Sequence, residues 1–582
     1  MEHQKTPDPE LATGASTSES LATTLEATYT SGMAGPETPD SALSAEIAAQ
    51  VEEWSTNSNE AFEISLMRNN KPLVTFNPEF TYPIFGQEEA IFGYQGLDIS
   101  LAFAAHNLKP HLEVKWDKQF PEVGDIKATG IKGALADFLP ASALTSQKRS
   151  EYLQDGEDAA WKPPGQSIKS YTVDGTRHEI YVASLADPAA RELLENMQVL
   201  VPLFIEGGSA LELDHDWSTE RWKIFFIYQH QPSTDKTSPA YSLVGYGTSY
   251  RVFTFPDREN PDETATNLLK NTTPIDDILT AWSHPPSKDA TSPLALPSRE
   301  RLSQFLILPP YQGFGHGAKL YNTMYAHLTA ESNILEFTVE DPNEAFDDLR
   351  DVCDLLHLRA TYPEFAELKI NTSVPAQKLR ASEPVPSDEI IPVAVVEKIR
   401  KGSKIMPRQL ARLLEMQTLA HIPALHRSTS RITRKEKSSN EMDKAYFFWR
   451  LYVKQRLYVF NRDALAQLDR EERVEKLEAT VENVLVDYER LLELAEKRGA
   501  RGAEEESGSG GVAVRRGKRK VVVDEDEDED DEDDDAEDGA DGKEAEEDDG
   551  EEMDEDEDGV DVTDALEGGA NGQSAAKRRK LA

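Results

Sequence analysis

Two short stretches of this chain combine residue types that could do chemistry together. Gln312-Gly313-Phe314-Gly315-His316-Gly317-Ala318 follows a β-rich apolar run over 302–308 and opens what the spacing predicts as a helix over 318–329. A glycine-rich turn from a buried strand into a helix leaves backbone N–H groups unpaired at the helix start, and such groups favour phosphate. Glu340-Asp341-Pro342 then closes the next apolar run, so a carboxylate stands one strand away from the anion cradle. There it can take a proton from a reacting group. Without the cradle the same residues read as a solvated strand end and a helix cap.

Several phosphate-binding patterns compete for the glycines. A P-loop requires a Lys and a hydroxyl residue after its last glycine, but Gly317 is followed by Ala318-Lys319-Leu320, which leaves no hydroxyl for magnesium. A dinucleotide fold requires a wider last glycine spacing and parallel strands with crossover helices. Glu336 lies at roughly the distance its acidic residue needs, yet the runs before the turn read as antiparallel. A purely structural turn stays open as the bland reading. The pattern met is Gln-x-x-Gly-x-Gly, through Gln312, Gly315 and Gly317.

Around these motifs the chain divides into candidate domains. Strand-like alternation at 61–66 and 111–116 flanks 84–96, where apolar residues bracket the polar step Gln87-Glu88-Glu89, and predicts a mixed α+β domain over 51–198. Runs at 200–206, 221–228 and 241–250 without helices between them predict an antiparallel meander that begins a second domain, 199–385. Its stretch 258–297, rich in Pro, Asn, Thr and Asp, reads as an exposed insertion. A helical domain is expected over 386–499. It ends in an apolar seam of Val474, Leu477, Val481, Val484, Tyr488 and Leu491, expected to pack on its own domain ahead of an intermolecular coiled coil.

The formal charge of −45 is spread unevenly over the 582 residues. Residues 524–567 hold 30 acidic side chains against one Lys, so −29 falls there and −16 on the rest. Such a tract cannot bury enough apolar surface to offset the entropy of ordering, which predicts a disordered tail over 500–582; 1–50, rich in Ser, Thr, Ala and Pro, reads alike. Arg515-Arg516-Gly517-Lys518-Arg519-Lys520 and Lys577-Arg578-Arg579-Lys580 flank the acid and read as nuclear-import addresses. The neighbouring acid opposes direct nucleic-acid binding. A mean hydropathy of −0.57 and the lack of a long apolar run predict no membrane span. The single cysteine, Cys353, excludes an intrachain disulfide and a multi-Cys zinc site; it reads as a buried core residue, and no metal is expected.

The Gln312–Ala318 pattern resembles the GCN5-related N-acetyltransferases. The wider run 301–318, with Phe337-Thr338-Val339-Glu340-Asp341-Pro342, is similar to the type B histone acetyltransferase family. Segments 91–97, 203–206, 220–222 and 244–248 resemble that family in the same order, so the likeness covers roughly 50–360. The insertion and the acidic tail depart from it. The resemblance implies an α+β fold of the GCN5-related N-acetyltransferase class, with an N-terminal mixed domain and a C-terminal helical domain. It implies acetyl-CoA as cosubstrate without a metal, with the pyrophosphate on Gln312, Gly313, Phe314, Gly315, His316, Gly317 and Ala318. The acetyl and pantetheine arm would lie along the backbone of Phe305, Leu306 and Ile307, which can polarise the thioester carbonyl, and Asn343 would contact the cofactor. His316 reads as a loop residue rather than a base or metal ligand.

Glu340 resembles the catalytic base, with Glu206 and Asp341 as accessory carboxylates. Gln87, Glu88, Glu89, Tyr250, Arg251 and Val252 resemble substrate contacts suited to a basic tail. The implied substrate is newly made, free core histone four with its dimer partner. The implied partners are a WD40-repeat histone chaperone and nuclear import receptors, the setting cytoplasm and nucleus, and the role chromatin assembly and DNA repair. A second reading, from the binding class, is an acidic histone chaperone whose acetyl-CoA fold is non-catalytic.

Overall fold

In a computed structural model the described residues are 51–124, 126–144, 147–154, 159–213, 216–232, 238–254, 293–379, 384–432 and 440–506. The tails over 1–50 and 507–582, most of the insertion (255–292) and both basic clusters lie outside them, and with them the expectation of disorder. The described residues divide into two compact units: those within 51–103, 109–154 and 202–204 form one, and those within 104–108, 159–201 and 205–506 the other.

The first unit is mixed α+β. Its four-stranded sheet has the order β3-β2-β6-β7, with β2 at Phe62–Arg68, β3 at Lys71–Phe76, β6 at Asp98–Ala104 and β7 at Pro110–Lys115. Two small pairs join β1 (Ser55–Asn57) to β4 (Ala90–Phe92), and β5 (Tyr94–Gln95) to β8 (Lys118–Gln119). The β2–β3 turn is made by Asn69 and Asn70 at φ 51° and 58°, the left-handed pair that matches strand twist and that Asn tolerates. Phe62, Ile64, Ile91, Ile99, Leu101 and Phe103 fill the core.

The second unit is built on a six-stranded sheet of order β14-β13-β12-β11-β10-β9. β9 spans Gln166–Val173, β10 Thr176–Ser184, β11 Trp222–His230, β12 Tyr241–Phe253, β13 Ser298–Ile307 and β14 Ile334–Val339. Neighbours from β9 to β13 run antiparallel, and β13–β14 is parallel. The boundary expected at 198 cuts through this unit, because the β9–β10 hairpin pairs with β11 and not with the first domain. Its turn, Asp174-Gly175 at φ 47° and 75°, explains why the two runs find each other locally.

The run at 200–206 is also corrected. Helix α1 (Pro188–Met197) is followed by a second short helix, α2 (Leu200–Phe204), where a strand was expected. Val199, Leu200, Val201 and Leu203 are all buried, so the run has no polar face to reveal its period, and Pro202 cannot donate to a ladder. The end of the expected exposed insertion differs as well: Leu296, Pro297 and Ser298 are buried, with Ser298 already the first residue of β13.

After β13, α3 (His316–Leu328) packs on the sheet, followed by β14 and α4 (Glu344–Thr361). The C-terminal helices α5 (Val393–Ser403), α6 (Pro407–Ala420), α7 (Glu441–Phe460) and α8 (Arg470–Glu506) share one core with the sheet, with no break at 385/386. That core joins Ile227 and Leu302 of the sheet to Met324, Leu355, Leu413, Trp449 and Tyr488. On the α8 seam Leu477, Val481, Tyr488 and Leu491 are buried against the chain's own α4, α6 and α7, as expected, and Leu485, Leu492 and Ala495 extend it. The helix runs past 499 to Glu506, through Gly499 and Gly502.

Candidate cofactor and base site

The phosphate-loop candidate lies at the C-terminal end of β13. Pro309–Tyr311 makes one 3₁₀ turn, Gln312 turns back so that its Nε2 donates to Ile307 O at 2.9 Å, and α3 begins at His316. Gly313 and Gly315 sit at φ 81° and 83°, where any side chain would be strained, although nothing stands within 4 Å of a Cβ built on either. No side chain caps the helix start at Gly315. The first N–H groups of α3 are thus presented to whatever binds there, at the positive end of the helix dipole. Gly317 has ordinary φ, and a Cβ on it would meet Leu349 at an ordinary 3.4 Å. Protein packing does not demand that glycine. Phe314 stands between the two left-handed glycines, 53% exposed.

His316 is not a loop side chain: it is the first residue of α3 and is buried. Its Nδ1 is hydrogen-bonded to the Tyr171 phenol at 2.8 Å, and its ring lies 4.5 Å from that of His178, which itself stacks on Tyr171. Tyr171 and His178 face each other across the β9–β10 ladder. Burial, helped by His178, pushes the His316 imidazole down to about 4, and burial holds the Tyr171 phenol above its ordinary range. At neutral pH a protonated phenol is therefore hydrogen-bonded to a neutral imidazole and ties the first turn of α3 to the edge hairpin. Tyr171 and His178 gave no sequence signal, because nothing in the sequence relates 171 to 316.

Along α3 the Tyr321 phenol donates to Asp354 Oδ1 on α4 at 2.9 Å, and Gln409 of α6 donates to Asp351 and Asp354 at 2.7 and 3.2 Å. Cys353, on the same helix, is buried, and its thiol is pushed up to about 12 by that burial; it is an inert packing group.

The carboxylate candidate lies where β13 and β14 part. Their parallel ladder ends at Leu302 opposite Val339, and Glu340 N–H donates to Leu302 O at 2.8 Å. β13 continues beyond that point through Phe305, Leu306 and Ile307. Phe305 and Ile307 are half-buried and Leu306 is buried, and on the other side this stretch pairs with Gly245–Gly247 of β12. Glu340 is held by side chains from two strands. Ser303 Oγ donates to Oε2 at 2.6 Å, the Tyr250 phenol donates to Oε1 at 3.2 Å, and Arg301 Nη2 stands 3.4 Å from Oε1. Burial, with the Glu340 charge beside it, raises the Tyr250 phenol above its ordinary value, so it stays a donor. Sequence reasoning passed over Ser303 and Arg301. Their signal was the alternation of β13, which puts Arg301, Ser303, Phe305 and Ile307 on one face.

The other candidates are more scattered. Asp341 is exposed at φ 30°, a left-handed backbone uncommon outside glycine. Asn343 caps α4, its Oδ1 accepting Phe346 N–H at 3.0 Å. Glu206 is exposed on the loop after α2, and that loop is tied to β13 where Gln304 Nε2 donates to Ser209 O at 2.8 Å. Arg251 is buried: Nε donates to Glu300 Oε1 at 2.8 Å, Nη1 donates to Leu294 O at 2.7 Å, and Nη2 lies 2.9 Å from Glu331 Oε2. Val252 is half-buried and pairs with Arg299. In the first unit Gln87, Glu88 and Glu89 differ in exposure: the first two are exposed, while Glu89 accepts from Thr81 N–H at 2.6 Å, Tyr82 N–H at 3.1 Å and Asn59 Nδ2 at 2.7 Å. Ala318 itself is buried on α3.

Among the described residues no group of three or more His, Cys, Asp or Glu could hold a metal ion, and no helix is long and apolar enough to cross a membrane.

Comparison with known proteins gives one consistent answer. A family model described as "Histone acetyl transferase HAT1 N-terminus" matches residues 54–206. The chain is 40% identical over 476 residues to the histone acetyltransferase type B catalytic subunit of Aspergillus oryzae, across 78% of this chain and 89% of that protein. With the protein of the same name in Aspergillus fumigatus it shares 39% over 507 residues, 82% of this chain and 86% of the relative. With that of Cryptococcus neoformans it shares 32% over 493 residues, 77% and 99%.

Proposed function

The chain belongs to the family of histone acetyltransferase type B catalytic subunits, and from that premise we propose that it transfers acetyl from acetyl-CoA to tail lysines of free core histone four. The fold we assign is that of the GCN5-related N-acetyltransferases. Its support is the antiparallel sheet that ends in the parallel pair β13–β14, with the loop and α3 between the two strands. The observation that carries the reading is Glu340, a half-exposed carboxylate fixed at the point where β13 loses its partner.

Acetyl-CoA, when bound, supplies the activated acetyl group. The N–H groups at the start of α3 would take the pyrophosphate of the cosubstrate, and Gly317 leaves them uncovered. The edge of β13 past Leu302 would take the amide-bearing pantetheine arm as an added strand would be taken. A lysine ammonium has an ordinary pKa near ~10.4, so it must lose a proton before its nitrogen can attack. Glu340 receives that proton, the freed lone pair on nitrogen forms the amide bond to the acetyl carbon, and the thioester C–S bond breaks with CoA leaving as the thiolate. Glu206 and Asp341 supply further negative charge for a cationic tail, and on the first unit Gln87, Glu88 and Glu89 are taken separately as substrate contacts.

The relatives' printed name, "catalytic subunit", supports a partner subunit, for which we propose a WD40-repeat histone chaperone. The basic clusters at 515–520 and 577–580 support import receptors and a protein shared between cytoplasm and nucleus. The test is to incubate the full chain with acetyl-CoA and a histone four tail peptide and to map acetylation by mass. Transfer that is lost in Glu340→Gln supports the reading; no transfer by the wild-type chain sinks it.

A further inference from the structure

Glu340 has two oxygens, and they are held unequally. The Ser303 hydroxyl donates to Oε2 at 2.6 Å, within the ~2.5–2.7 Å range of charge-assisted O–H···O⁻ bonds. The Tyr250 phenol reaches Oε1 at 3.2 Å, long for an O–H···O bond. Arg301 approaches the same Oε1 at 3.4 Å with a guanidinium that is 36% exposed and 5.9 Å from the centre of the Tyr250 ring. One oxygen is anchored, and the other is loosely attended.

The backbone explains why a serine can reach. Gly247 pairs with Phe305 and Ser249 with Leu302, so the single residue Thr248 stands opposite both Ser303 and Gln304, a β-bulge. Thr248 Oγ1 fills the gap by accepting Gln304 N–H at 2.9 Å. On the other side Glu340 N–H binds Leu302 O, so Ser303 is the first residue of β13 past the last backbone contact with the β14 segment. Freed from both ladders, it stands beside Glu340, and its short side chain spans the opening.

We propose that Ser303 is a positioning residue for the proposed base: it anchors Oε2 of Glu340 and thereby turns Oε1 toward the substrate amine. The proton passes from the ammonium to Oε1, the N–H electron pair stays on nitrogen, and Ser303 keeps its own proton throughout. Tyr250, on Oε1, marks the side from which the substrate arrives. This inference rests on the reading of Glu340 as base, and the two fail differently.

The experiment measures kcat and KM for acetyl-CoA and for a histone four tail peptide across pH 6–9, using the full chain and its Ser303→Ala, Ser303→Thr and Glu340→Gln variants. Ser303→Ala is expected to lower kcat about tenfold, with both KM values within about twofold of wild type, because a hydrogen bond to a charged group is lost only from the reacting geometry. Ser303→Thr returns the hydroxyl and is expected to recover most of kcat. A Ser303→Ala enzyme with wild-type kcat at every pH overturns the proposal, and so does a Ser303→Thr enzyme as impaired as Ser303→Ala at equal melting temperature. If Glu340→Gln turns over like wild type, the base assignment itself has failed and the anchor falls with it. If Glu340→Gln is inactive while Ser303→Ala is unaffected, the anchor alone is wrong.

Discussion

At the start of α3 the working groups are backbone atoms, whereas at the end of β14 they are side chains drawn from three strands. The first region needs glycines: Gly313 and Gly315 for their left-handed φ, and Gly317 for what it leaves uncovered. The second needs a break in strand pairing, so that Ser303, Tyr250 and Arg301 converge on Glu340. A backbone site is built locally and written as consecutive residues. A side-chain site is assembled across the sheet and depends on register.

The sharpest way to separate the regions is Glu340→Gln, which keeps the shape and removes the proposed base. It should lower kcat by ~10²-fold or more while thermal protection by acetyl-CoA is unchanged. Loss of that protection would merge the two regions into one. Tyr171→Phe should act at the other end, since it leaves the buried Nδ1 of His316 without its hydrogen-bond partner, at a cost of ~1–3 kcal/mol. The expected readout is a lower melting temperature together with a raised KM for acetyl-CoA, and a variant with neither change would show that the tie does not brace α3.

The same imidazole makes the cofactor end acid-sensitive. His316 titrates at about 4 in the folded chain and near ~6.5 when unfolded, so the unfolded state binds more protons between those values. Its contribution to stability is present above about pH 6.5 and is lost as pH falls toward 4. His316→Gln, which does not titrate, should show a shallower fall in melting temperature from pH 7 to pH 5; parallel curves would refute the link.

The smallest effects come from the glycines. Gly315→Ala should destabilise by about 1 kcal/mol through backbone strain. Gly317→Ala, at an ordinary helical position, should gain up to ~0.5–1 kcal/mol in stability yet weaken acetyl-CoA binding. Calorimetric melts with and without acetyl-CoA read both signs at once, and equal signs for the two variants would erase the distinction between conformational and ligand-facing glycines.

The turn from β13 into α3 was legible because a helix start is a local event, set by Gln312, the glycines and the apolar run before them. The positions of β13, α3, β14 and the α8 seam followed from periodicity in the same way. What failed were runs without period or with partners far away. The buried stretch 200–206 folded as a helix, and the β9–β10 hairpin joined the sheet of the second unit although it precedes the expected boundary at 198. His316 read as a loop residue because its partners, Tyr171 and His178, come from that distant hairpin. Arg251, given a substrate role by resemblance, has its guanidinium engaged with Glu300 and Glu331, an arrangement no local pattern encodes.

The sequence alone thus determined the phosphate-loop pattern, the candidate base and the acidic tail, each a property of contiguous residues. Tertiary structure decided which hydroxyls hold that candidate base and what braces the start of α3. Those contacts depend on strand register and on a single bulge, and a one-residue shift in either would point the same side chains elsewhere.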